Sequence, residues 1–90
     1  MSYENVNLKE ATIIDVREPG EVAMGCVEGS INIPLGQVPL KVEEFKNMKK
    51  PLVLCCASGN RSGQAVQFLA ANGVEDIYNG GGWNDVASKM

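Results

Sequence analysis

The stretch LVLCCASGNRSGQAV, residues 52–66, decides how this chain of 90 residues is read. Leu52 to Cys56 form a near-continuous apolar run, the character of a strand buried on both faces. A helical pattern follows within a few residues. In SGQAVQFLAANG, residues 62–73, Ala65, Phe68 and Leu69 share a face, and Asn72-Gly73 makes a C-terminal stop. Ser62 is placed as the cap of that helix. A strand feeding a helix through a tight turn is the repeating unit of α/β sheets. In such sheets reactive groups gather where strand ends meet helix starts. Cys56 lies at such a junction.

The flanking sequence continues the alternation. Residues 11–16 (ATIIDV), 51–56 (PLVLCC) and 74–79 (VEDIYN) read as short strands, with 30–34 (SINIP) a weaker fourth. Between them, residues 18–25 (EPGEVAMG) suit one or two helical turns, with Pro19 tolerated in the first. Residues 39–48 (PLKVEEFKNM) place Leu40, Val42, Phe45 and Met48 on one side, and a short last helix is expected near Asn84. The expectation is one α/β domain, residues 1–90, with a small, mainly parallel sheet flanked by helices. No internal repeat, low-complexity tract or linker interrupts it.

Composition removes several functions. The hydrophobic share is 44% with five aromatic residues, which suits an aliphatic core and not a disordered chain. Net charge is −3, and Lys49-Lys50 is the only adjacent basic pair, so no basic stripe exists for nucleic acid. No apolar run approaches the roughly 20 residues of a membrane-spanning helix, and residues 1–11 lack the pattern of a secretory signal. A cytoplasmic setting is expected. The three cysteines are an odd number, two of them adjacent, so a disulfide framework is not expected. With no histidine in the chain, Ser-His and Cys-His hydrolases are excluded. Three scattered cysteines also supply too few ligands for structural zinc, and neither metal nor cofactor is expected.

A thiol becomes a useful nucleophile once its thiolate is stabilised, and a strand-to-helix loop can do this without a base. Inward-facing N–H groups, the helix N-terminus and a guanidinium all favour negative charge there. The segment CASGNRS, Cys56 to Ser62, has those parts. Gly59 permits a turn with positive φ, Arg61 is permanently charged, and Ala57, Ser58, Gly59, Asn60, Arg61 and Ser62 together make a cradle for an anionic substrate. Two registers compete: Arg61 is the sixth residue after Cys55 but the fifth after Cys56. Gly59 has its offset only from Cys56, whereas Cys55 continues the strand and reads as packing.

CASGNRS is similar to the CxxGxR[ST] active-site loop of rhodanese-like sulfurtransferases. Residues 13–34 (IIDVREPGEVAMGCVEGSINIP) resemble another block of that family through Asp15, Val16, Arg17, Glu18, Glu21, Gly25, Gly29, Asn32, Ile33 and Pro34. Residues 74–85 (VEDIYNGGGWND) look like its closing strand and glycine turn. The resemblance spans residues 11–85 and implies a three-layer rhodanese-like domain. It also implies a persulfide mechanism: Cys56 takes sulfur from thiosulfate or another sulfane donor and passes it to a thiol or cyanide. Arg61 would position the anionic donor, while Asp15 and Arg17 would support the loop. The family's usual histidine is Cys26 here, and Trp83 follows the glycines sooner than the family's aromatic does.

Two other readings stay open at this level. One is a phosphatase or arsenate-reductase-like enzyme using Cys55; the other is a non-enzymatic binding or sulfur-carrier module. The partners expected are a small anionic sulfur donor, a thiol acceptor and a sulfur-relay protein. With no Lys in the loop, modest thiosulfate affinity is expected, and a persulfide as the working donor.

Overall fold

The computed structural model describes residues 5–90. Residues 1–4, which hold the start of the expected domain and part of the stretch read for a signal, lie outside the described residues. In chain order the elements are β1 (Thr12–Asp15), α1 (Pro19–Val22), β2 (Ile31–Asn32), a 3-10 helix (Leu35–Lys41), α2 (Val42–Asn47), β3 (Leu52–Cys56), α3 (Asn60–Ala71), β4 (Ile77–Gly82) and α4 (Trp83–Ser88). The strands form one sheet in the order β2-β1-β3-β4, and all three pairings are parallel.

A parallel sheet must be covered on both faces, and β3 shows how the sequence does it. Leu52, Leu54 and Cys56 join a core with Ile14, Val16, Val38, Phe45, Ala65, Val66 and Leu69, contributed by β1 and the residue after it, the 3-10 helix, α2 and α3. Val53 and Cys55 join the opposite core with Leu8, Ile13, Val27 and Val86 of α4. Successive strand residues point to opposite faces, so the adjacent cysteines are separated by the sheet itself. Phe45 is fully enclosed, a burial that contributes about 1.5–3 kcal/mol. Among the described residues, no helix is long and apolar enough to cross a membrane.

The expected elements all form, with three shifts that have physical causes. Residues 39–48 do not make one helix. The 3-10 turn runs through Pro39 to Lys41 before α2 starts at Val42. At three residues per turn, Leu35 and Val38 stack inward and Leu40 is turned out, 83% exposed. α3 begins at Asn60 with Gly59 as its cap residue, so Ser62 lies inside the first turn and is not the cap. Its buried face is Ser62, Ala65, Val66 and Leu69, while Phe68 sits at the flank, 38% exposed. Finally, β4 covers 77–82 and not 74–79. Asp76 takes a left-handed φ of 55°, which delays the strand, and the three glycines extend it where a turn was expected.

Those glycines let β4 press against its neighbours. A Cβ on Gly80 would lie 2.7 Å from Val53 Cγ1 and 2.8 Å from Val86 Cγ2. The β3–β4 register shifts between Leu54 and Cys55, so that Leu54 pairs with Asn79 and Cys55 with Gly81. This bulge lies beside the cysteine loop and sets the position of Asn79 under it.

Candidate active site

The loop after β3 turns back on itself at Gly59, whose φ of 97° suits glycine alone. A Cβ there would also stand 3.1 Å from the Gly81 Cα of β4. This turn aims the start of α3 at the Cys56 sulfur. The Gly59 N–H donates to Sγ at 3.0 Å and the Ser62 N–H at 3.4 Å, with the Ser62 hydroxyl also 3.4 Å away.

Cys56 has no exposed surface, and this burial pushes its thiol up. The Ser62 hydroxyl and N–H, together with the N–H groups of Ser58 and Gly59, outweigh burial and bring it below the ordinary thiol value. Hydrogen bonds are thus the leading cause that favours the thiolate. Cys55 has the opposite fate on the other face of the sheet. Burial first, and the Asp15 carboxylate second, push its thiol up to about 12. It stays protonated and packs, as its place in the strand predicts. Cys26 is an exposed free thiol.

Hydrogen-bond counting gives Ser62 a further role. Asn79 Oδ1 accepts from the Gly81 N–H at 3.0 Å, and its Nδ2 donates to the Gly59 carbonyl at 3.1 Å. A backbone N–H only donates and a carbonyl only accepts, so these two partners fix the amide's orientation. Ser62 must therefore donate its single proton to Asn79 Oδ1, at 2.6 Å. While that bond stands, Ser62 Oγ is free to accept from a Cys56 thiol. A thiolate has to draw the same proton away from Asn79.

Arg61 lies in the first turn of α3, but its guanidinium is committed to a carboxylate. Nη1 donates to Glu21 Oε1 at 2.7 Å and Nη2 to Glu21 Oε2 at 2.9 Å, a two-pronged pair at half-exposed side chains. The Glu21 carboxyl is held down to about 2, first by Arg61 and then by the Glu18 N–H. Of the remaining loop residues, Ala57, Ser58 and Asn60 are exposed at the rim.

Among the described residues, no side-chain hydrogen bond joins Asp15 or Arg17 to residues 57–62. Arg17 donates to buried Asp15 through its backbone N–H, Nε and Nη2, and its guanidinium lies 4.9 Å from the Trp83 ring centroid. It also donates to the carbonyls of Gly25 at 2.7 Å and Glu21 at 3.3 Å. One link from Arg17 to the cysteine loop runs through α1, where Arg17 holds the Glu21 carbonyl and the Glu21 side chain holds Arg61. Trp83, half-buried, covers Gly25: a Cβ there would meet its ring at 2.9 Å.

Sequence reasoning missed Glu21 and Asn79 as site residues. Asn79 had a signal, being a strand-averse residue within a strand pattern. Glu21 stood in the block that resembles the family, but its pairing with Arg61 had no signal, because that partner lies 40 residues away.

Known proteins resemble this chain over most of its length. The model of the Rhodanese-like domain matches residues 3–89. Thiosulfate sulfurtransferase PspE of Escherichia coli is 37% identical over 75 residues, covering 82% of this chain and 72% of that protein. The uncharacterized Bacillus subtilis protein YqhL is 44% identical over 71 residues, 79% of this chain and 56% of its own length, so this chain spans little more than half of that relative. Among solved structures, a rhodanese with anions from E. coli superposes with a TM-score of 0.77 at 35% identity, covering 86% of this chain and 92% of that one.

Proposed function

The chain belongs to the rhodanese-like domain family, related to sulfurtransferases, and from that premise we propose that it transfers sulfane sulfur through a persulfide on Cys56. The thiolate attacks the outer sulfur of thiosulfate or of a persulfide. The donor's S–S bond breaks, and its electron pair leaves with sulfite or a thiolate. Cys56 then carries one extra sulfur as a persulfide anion, stabilised by the loop N–H groups, until an acceptor thiolate or cyanide attacks that sulfur and Cys56 leaves as thiolate. No general base is required, in keeping with a chain that has no histidine. Residues 1–90 are taken as one such domain, working in the reducing cytoplasm, where thiol acceptors and a sulfur-relay partner are at hand.

The observation that carries this reading is the Cys56 sulfur held by the Gly59 and Ser62 N–H groups, with its thiol shifted down. The Cys55 phosphatase reading loses support for the same reason reversed: that sulfur is enclosed on the far face, with its thiol pushed up to about 12. Intact mass after treatment with thiosulfate or an organic persulfide tests the proposal. One added sulfur atom is expected on wild type and on Cys55→Ala, and none on Cys56→Ser. Loading without discharge to cyanide or a thiol would make the protein a sulfur carrier and not a transferase. Aryl-phosphate turnover that survives Cys56→Ser and fails in Cys55→Ser would move the nucleophile to Cys55.

A further inference from the structure

Arg61 is the only cation in residues 52–66, and an anionic donor arriving at the Cys56 loop finds it occupied. Both terminal nitrogens of its guanidinium face the two oxygens of Glu21. Glu21 is itself held in place. The Glu18 N–H donates to its Oε1 at 3.0 Å, and Arg17 pins the carbonyls of Glu21 and Gly25. Arg17 in turn is fixed by buried Asp15 and by the Trp83 ring. The negative charge beside Arg61 is thus built into the fold through four residues, and it is not a passing surface contact.

This arrangement has a consequence for donor choice. The guanidinium and the carboxylate cancel, so the loop offers inward N–H groups but no net positive charge at its rim. A donor anion that approaches Arg61 also approaches Glu21. Repulsion grows with the charge on the donor, so a dianion is opposed about twice as strongly as a monoanion. Resting on the sulfur-transfer reading above, we propose that Glu21 is a specificity-determining residue: it selects singly charged sulfane donors, such as organic persulfides and thiosulfonates, over dianionic thiosulfate. Its neighbours Asp15, Arg17 and Trp83 act only by holding it.

The test compares two donors on the same protein. Thiosulfate carries two negative charges. An aryl thiosulfonate carries one, gives up the same outer sulfur to the Cys56 thiolate and leaves as the sulfinate, which keeps the S–S electron pair. In Glu21→Gln the shape of the pair is kept and its negative charge removed. Exposed like-charge interactions of this kind change binding by about threefold per charge, so kcat/KM for thiosulfate is expected to rise by about an order of magnitude, mainly through KM. The thiosulfonate value should rise by only about the square root of that factor. Glu21→Asp, which keeps the charge, should retain the wild-type donor ratio even where both rates fall. The ratio is internal to one preparation, so partial misfolding cancels from it. Equal changes for both donors, or a loss of thiosulfate activity alone in Glu21→Gln, would overturn the assignment and leave Glu21 as a support for Arg61. Wild type that accepts sulfur from neither donor would overturn the sulfur-transfer reading itself.

Discussion

Removing the Ser62 hydroxyl should make the Cys56 thiolate scarcer, and the structure gives the size of the effect. In wild type that hydroxyl stands 3.4 Å from Sγ and 2.6 Å from Asn79 Oδ1, with one proton to give. A hydrogen bond to a charged group contributes about 1.5–3 kcal/mol. The long distance and the competing acceptor put this one at the low end, about 1.5 kcal/mol, which is close to tenfold in an equilibrium. Ser62→Ala should therefore lower the thiolate fraction about tenfold at pH values below the thiol's midpoint, moving its appearance to higher pH. Asn79→Ala removes the competitor and should act in the opposite direction, but only where Ser62 is present. The assay is the ultraviolet absorbance of the thiolate across pH in a Cys26→Ser background. Cys55 stays out of the way because its thiol titrates at about 12. If Ser62→Ala leaves the titration unmoved, or Asn79→Ala shifts it equally with and without Ser62, the proton-competition argument is wrong.

Three other perturbations have determined signs. The Glu21 carboxyl sits at about 2 in the fold against an ordinary 4.5, so the native state holds fewer protons between those values. Its contribution is present above pH 4.5 and is lost as pH falls toward 2; Glu21→Gln should flatten the acid limb of urea midpoint against pH. Cys55 runs the other way: the folded state keeps its proton to about 12 while the unfolded thiol releases it near 9. Stability should fall as pH rises from 9 to 12, and Cys55→Ala should relieve that fall in thermal melts. Gly80→Ala forces a methyl to within 2.7 Å of Val53 and 2.8 Å of Val86. It should destabilise the protein by about 1–3 kcal/mol in denaturant titration, the range for overpacking a filled core; a neutral result would mean that β3 and α4 separate freely.

The strand–loop–helix unit around Cys56 was legible because its signals are local. An apolar run of strand length, a glycine at the turn and an apolar helical face each act within a few residues. The preference for Cys56 over Cys55 rested on the offset of Gly59 and the likeness to CxxGxR[ST], and strand alternation accounts for the two adjacent side chains lying on opposite faces. Local patterns failed where two elements press together. The glycines at 80–82 look like a turn in one dimension, yet they extend the strand, and at Gly80 Val53 and Val86 leave no room for a side chain. Leu40 looked like part of an apolar helical face until the tighter 3-10 turn through Pro39 rotated it outward.

The site divides along the same line. Sequence by itself determined the α/β order, from patterns along the whole chain, and placed Cys56 at the mouth of a backbone cradle, from residues within one turn of it. It also excluded imidazole chemistry by composition. Tertiary structure alone decided what the side chains of Arg61 and Ser62 do. Their partners, Glu21 and Asn79, come from α1 and β4, 40 and 17 residues away. A guanidinium or a hydroxyl carries no mark in sequence of which acceptor will reach it. Only the folded sheet brings the competing carboxylate and amide within hydrogen-bond distance.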